Sequence, residues 1–168
     1  MPADNQEERF YWVNENDEEL GSISRYEAHH SFKLHRSIGI LLLNEKQEML
    51  FQQRTLTKDV DGGLWSYAVG GHVSYGDSYE ETAIRELEEE LGIRATLTFL
   101  RKVKFNTGKE YQMAGLFSAT IPSATALRID PLEIETTQWV HTTEIATFIH
   151  SHSCTNWTVE ALKQTGFL

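Results

Sequence analysis

The chain has 168 residues, 40% hydrophobic and 24% charged, which is ordinary for a globular protein and long enough to bury a substantial core. Its formal net charge of −10 argues against general binding to nucleic acid or to an anionic membrane, both of which need basic surface. A single cysteine, Cys154, excludes an internal disulfide framework and suits a reducing cytoplasm; residues 1–20 lack a basic and apolar leader pattern, and the longest apolar run, 40–43, is far below a membrane span.

A polar tail, residues 1–9, precedes two short predicted strands, 10–13 and 20–24, around a turn at 14–17. Residues 26–34 hold His29 and His30 and show no clear period. Strands are expected at 35–43 and 49–54, separated by a turn at 44–47, and a loop with Lys58 and Gly62-Gly63 runs from 55 to 63. Residues 64–69 read as a strand feeding a glycine-rich loop, and a helix follows from Ser78 to Leu91. Beyond it, 95–105 is β-rich, a turn at 106–109 leads to a strand at 111–120, and 122–129 is a loop. A strand at 133–140, a short helix at 142–150 and a terminal helix at 156–164 complete the chain. With no repeat or linker, these alternating elements predict one mixed α/β (α+β) domain.

The helix at 78–91 carries the strongest signals. Ser78 and Glu81 form a capping box, and Gly92 suits a C-terminal cap with positive φ. Ala83, Ile84, Leu87 and Leu91 recur at three- and four-residue spacing, an apolar stripe for the core. Six glutamates and one arginine share the same helix. At about 100° per residue, Glu86, Glu89 and Glu90 fall within about 100° of one another, with Glu90 at the border of the stripe. Like charges four apart, here Glu86 and Glu90, cost a helix about 0.2–0.5 kcal/mol. A solvated acidic face is one reading. A hard divalent cation, which wants several oxygen ligands at close range, is the other.

The spacing resembles the Nudix box, G-x5-E-x7-R-E-U-x-E-E-x-G-U with U a bulky aliphatic residue. Gly71, Arg85, Glu86, Leu87, Glu89, Glu90, Gly92 and Ile93 match, and Asp77 stands where the family usually has Glu. That position pairs with the box arginine, so the shorter Asp77 is expected to reach Arg85 less well. The resemblance implies a mixed sheet between helices over about 35–147, with the hairpin at 10–24 as an extension. It implies Mg²⁺, with Mn²⁺ as an alternative, held by Glu86, Glu89, Glu90 and the carbonyl of Gly70 or Gly71. It implies hydrolysis of a diphosphate linkage in a small molecule, of the kind found in nucleoside diphosphate derivatives. Glu86, Glu89 and Arg85 are then the catalytic set, with Arg85 orienting carboxylates; the base is one of these glutamates or one from a later loop. Loops that choose the organic group are not legible. Tyr75, Trp65 and Phe105 are aromatic candidates for stacking a base or for packing the core. The chain is expected to be a monomer or a homodimer.

His35-Arg36-Ser37, Gln53 to Lys58, Gly63-Leu64-Trp65 and Gly71-His72-Val73 are similar to isopentenyl-diphosphate isomerase and its Nudix relatives. Arg54 and Lys58 match basic residues that hold the substrate diphosphate, and an arginine offers a bidentate fork for it. His35, His72 and Glu110 match metal ligands of the isomerase, and His29 or His30 a further one, which places His72 and Glu110 at the substrate. Hydrogen-bonded core histidines are the alternative. The isomerase's proton-transferring Cys and Glu are replaced by Gly70 and Gln112, neither of which can deliver a proton. Hydrolase chemistry on an isomerase-like scaffold is therefore expected; a true isomerase with substituted groups and a weakly catalytic ligand-binding module are the alternatives. His150, His152 and Cys154 alternate along one segment, either incidentally or as a zinc site.

Overall fold

The computed structural model describes residues 4–168, so the first three residues of the predicted polar tail lie outside it. Strands β1 (Arg9–Val13) and β2 (Glu19–Ser24) form the expected antiparallel hairpin, and β1 touches β3 (His35–Asn44) at Trp12 and His35. Between β2 and β3 lies α1 (Arg25–His30), a helix not expected from the sequence. Six residues are too few to show a period. The helix rests instead on its capping box, where Ser24 and Glu27 satisfy each other's backbone N–H groups, and on Ala28 buried against Phe10 and Ile23.

The centre of the sheet is β3. It runs parallel to β8 (Tyr111–Ile121) over its whole length, while on its other edge it pairs with two different strands. Ser37 to Ile40 pair with β6 (Val69–His72), and Leu43 pairs with Met49 of β4 (Glu48–Arg54). The strand predicted at 64–69 is in fact two, since β5 (Trp65–Tyr67) pairs with β4 and the chain then crosses at Ala68 to join β3 as β6. The glycines Gly70 and Gly71 thus belong to a strand, not to the expected loop. The remaining strands are β7 (Thr98–Asn106), paired with β8, and β9 (Ile134–His141), paired with β4. The β-rich stretch from 95 becomes a strand only at Thr98. The fork between the β6 and β4 branches leaves a cleft.

Alternation along β3 supplies both cores. Ile38, Ile40 and Leu42 face α2 (Tyr79–Leu91) and pack with Ala83, Leu87 and Leu91. Leu41 faces the other way, towards α3 (Ile145–Ser151) and α4 (Asn156–Gln164), in a cluster with Phe51, Leu116, Phe148, Trp157 and Leu162. The sheet therefore lies between helices, as expected for its class. Ile84 departs from the predicted stripe: it is 45% exposed, and Thr82 is buried instead, because the buried face is centred on Ala83, Leu87 and Glu90. Each fully buried leucine here contributes about 1.5–3 kcal/mol. That packing fixes the helix, and with it the carboxylates of its far edge, against β6.

Candidate active site

A cleft of about 210 Å³ opens at the fork of the sheet. Three sources furnish it: the carboxylates of α2, the cations at the end of β4 and in α1, and the polar ends of β6 and β8. Glu86, Glu89 and Glu90 line one wall, so the three glutamates selected by spacing do converge. Gly71 lies directly under Glu86; a Cβ there would sit 3.0 Å from the Glu86 carboxyl carbon, a tight contact that would push the carboxylate aside. Burial, then the neighbouring Glu89, pushes Glu86 up to about 7. Glu90 is 4% exposed, and burial followed by Glu86 and Glu133 holds its carboxyl well above the usual range. Gln52, buried on β4, donates to Glu90 Oε2 at 3.1 Å and to the Ala68 carbonyl at 2.9 Å. Glu89 is exposed and forms no hydrogen bond or ion pair among the described residues. Buried carboxyls crowded in this way are stable as anions only beside a cation, and oxygen donors suit a hard one. The residues fit a divalent metal of the Mg²⁺ or Mn²⁺ kind.

Arg85 does not lie among the lining residues. Its Nη1 bonds Asp77 Oδ2 at 2.5 Å, so the shorter Asp77 reaches it, contrary to the expectation from length. The loop from Ser74 to Ser78 brings the two together, and the pair ties the entry loop to the helix.

Arg54 and Lys58 both line the cleft, in different conditions. Arg54 packs 5.3 Å over the Trp157 ring, donates Nη2 to the Val60 carbonyl at 3.0 Å, and leaves its buried Nε without a partner. Lys58 is held between two carboxylates, Asp4 Oδ1 at 2.5 Å and Glu133 Oε2 at 2.8 Å. Arg25 of α1, overlooked in the sequence, is a third cation in the cleft, 7% exposed and paired with Asp59 at 3.2 Å and Asp4 at 3.5 Å. Its helix shows no period, and the Ser24–Glu27 capping box is the local signal that could have marked the element that presents it.

At the inner end of the cleft, ligand atoms of His29, His35, His72 and Glu110 all lie within 4.8 Å of one another. The third histidine is His29; His30 points away, stacked on Tyr26 at 3.9 Å. His35 directs Nδ1 to the Lys33 carbonyl at 2.8 Å, which leaves Nε2 as a buried lone pair with no partner. Burial pushes His35 down to about 4 and His72 to about 3, so both are neutral at pH 7. Glu110 is held well below the usual range because hydrogen bonds to His29 and His72 outweigh its burial. The neutral imidazoles of His35 and His72, with His29 beside an anionic carboxylate, are the donor types of a borderline metal such as Mn²⁺ or Zn²⁺. Gln112 donates to Glu110 Oε2 at 2.7 Å. By contrast, His150, His152 and Cys154 form no such cluster among the described residues: His150 bonds the Ala146 carbonyl and His152 stacks on Phe148.

Against known protein families, residues 33–156 match the NUDIX domain. The chain belongs to the Nudix family. A Nudix hydrolase of Pseudomonas aeruginosa is 39% identical over 130 residues, 77% of this chain and 76% of that one. An isopentenyl-diphosphate Delta-isomerase of Cereibacter sphaeroides is 30% identical over 139 residues, 79% of this chain and 78% of that one. In structure, a protein of Deinococcus radiodurans superposes with a TM-score of 0.80 at 22% identity, covering 94% of this chain and 99% of that one. The protein is thus a Nudix hydrolase, a class acting on diphosphate bonds, with isomerase-like relatives.

In this Nudix hydrolase the aromatic residues of the cleft are Tyr67 and Trp157, not the three picked from sequence. Trp65 and Phe105 pack in the core, and Tyr75 packs tilted against Tyr11, ring centroids 4.7 Å apart. No described helix is long and apolar enough to cross a membrane.

Proposed function

We propose that the protein hydrolyses a diphosphate linkage in a nucleoside diphosphate derivative, with Mg²⁺, or Mn²⁺ in its place, held by Glu86, Glu89, Glu90 and the Gly71 carbonyl. The observation that carries this reading is the meeting of the α2 carboxylates and the Arg54, Lys58 and Arg25 cations in one cleft. An acidic chain has no general attraction for a diphosphate, so these cations and the metal supply it. Arg54 takes two phosphoryl oxygens with its fork, while Lys58, His72 and Glu110 border the same anion. Held by the α2 carboxylates, a divalent metal would supply charge neutralisation for the phosphoryl oxygens and a water of lowered pKa. Glu89, exposed and without a partner among the described residues, takes the proton from the attacking water as it adds to phosphorus and the bridging P–O bond breaks. Glu86 shares the metal, and Arg85, anchored on Asp77, keeps the helix and its carboxylates in register with the entry loop. We take the whole chain as one Nudix unit, working in the cytoplasm as a monomer or homodimer; the lone thiol of Cys154, raised to about 11 by burial, fits a reducing compartment.

The test is release of nucleoside monophosphate with Mg²⁺ or Mn²⁺ over a panel of nucleoside diphosphate derivatives, comparing the protein with Glu89→Gln. Metal-dependent release lost in the variant supports the reading. No release from any member, or equal release by the variant, refutes it.

A further inference from the structure

Tyr67 is the one tyrosine among the residues lining the cleft, and its position depends on two glycines. Gly39 of β3 and Gly70 of β6 are paired in register, so both turn the same face of the sheet to the Tyr67 ring. A Cβ on Gly39 would lie 2.6 Å from Tyr67 Cζ and 2.7 Å from its hydroxyl oxygen. A Cβ on Gly70 would lie 3.2 Å from Cε2. Real Cβ contacts do not come as close as the first pair, so a side chain at Gly39 and this ring exclude each other. The ring is 2% exposed, wedged against Leu116, with its backbone N–H held by Thr158 Oγ1 at 3.1 Å. Its hydroxyl makes no hydrogen bond among the described residues.

The hydroxyl oxygen is not one of the sealed polar atoms without a partner, so it faces the open cleft, and a tyrosine hydroxyl in such a place ordinarily finds a hydrogen-bond partner. Burial and the fields of Glu110 and Glu90 push it far above its usual pKa, against Arg54, so it is a donor at every physiological pH. The chain therefore holds a neutral donor, without a protein acceptor, in the cleft where the cations gather. An apolar group placed there would leave the hydroxyl unpaired; an anionic oxygen would satisfy it.

We propose that Tyr67 is a substrate-binding residue, its hydroxyl donating to a phosphoryl oxygen of the bound diphosphate from a seat that Gly39 and Gly70 keep open. This rests on the hydrolase reading for the identity of the anion. It adds a neutral donor to the cations of Arg54, Lys58 and Arg25, and it makes Gly39 a requirement of the site through the ring it admits, with Gly70 a tight neighbour of the same ring.

The test is Tyr67→Phe, which keeps the ring and removes only the oxygen, with inorganic pyrophosphate as the probe. Binding is measured calorimetrically with Mg²⁺ at a temperature where both chains are folded, and KM and kcat are read on any hydrolysed substrate. Loss of a hydrogen bond to a charged group predicts pyrophosphate affinity lower by about tenfold to a hundredfold, with Tm held or raised. Gly70→Ala, which retains the hydroxyl but crowds the ring, is expected to weaken binding in the same direction. If wild type binds pyrophosphate but cleaves nothing, the hydrolase reading falls while the affinity ratio still decides the role of Tyr67. Unchanged affinity in Tyr67→Phe, or no pyrophosphate binding by wild type, overturns the proposal.

Discussion

Replacing Glu90 by Gln should damage activity and improve stability, and the two effects have one cause. The carboxyl is 4% exposed, faces Glu86 one helical turn away and Glu133 across the cleft, and among the described residues has only Gln52 Nε2 as a hydrogen-bond donor. An acid whose folded-state pKa lies above its unfolded value of about 4.3 binds its proton more tightly when folded. Without metal, stability therefore falls as pH rises from that value through the folded pKa. The amide removes this loss, and its oxygen still accepts from Gln52. A buried polar group short of partners costs about 1–3 kcal/mol, so relieving the 4% exposed carboxylate should gain about 2 kcal/mol at pH 8 in EDTA. For a chain of this size that is about 4–8 °C in Tm. Adding Mg²⁺ should reverse the order: at a hundred times its dissociation constant it stabilises wild type by about 2.7 kcal/mol and the variant much less. Turnover should fall by about two orders of magnitude or more, equivalent to about 2.7 kcal/mol of barrier. Scanning calorimetry with EDTA and with Mg²⁺, beside an assay of nucleoside monophosphate release, reads all three. A Tm that drops in EDTA, or turnover near wild type at saturating Mg²⁺, refutes the reasoning.

Arg54→Ala should raise KM for a diphosphate substrate at least tenfold, because its guanidinium, braced on Trp157, still has an unpartnered Nε to offer. Lys58→Ala should act mainly on Tm, since it strips the cation from Asp4 and Glu133; KM effects of equal size in both variants would contradict this. The protein should not exchange deuterium from D₂O into isopentenyl diphosphate with Mg²⁺ or Mn²⁺, as Gly70 has no side chain and the Gln112 amide is engaged with Glu110; incorporation above the uncatalysed rate would show otherwise. Asp17, its carboxylate 5% exposed, is lowered in pKa because bonds to Lys102, Arg36 and Tyr79 outweigh its burial. The stability it confers is thus present above its unfolded pKa of about 3.9 and is lost as pH falls through the folded value. Asp17→Asn, compatible with φ of 61°, should cost about 3 kcal/mol at pH 7 and flatten acid unfolding; identical urea midpoints at pH 7 would count against it.

What the sequence determined by itself is local. The Ser78–Glu81 capping box and Gly92 bound α2 in the structure as in the chain, because caps act between residues three or four apart. Periodicity placed most strands, and spacing put Glu86, Glu89 and Glu90 on one edge, since helical geometry alone fixes their angles. The same box also carried the family. Local signals failed where elements were short or where a neighbour decided the outcome. Nothing in residues 64–72 says that the chain leaves one branch of the sheet for another at Ala68, because strand pairing is set by partners far away in sequence. The burial of Arg25 and the bonding of Lys58 to Asp4, 54 residues away, arise only when the hairpin and α1 fold across the cleft. Gly39, Tyr67 and Gly70 are likewise unremarkable one at a time. Their meaning depends on a register that puts two missing side chains under one ring, and only the tertiary structure brings the three together.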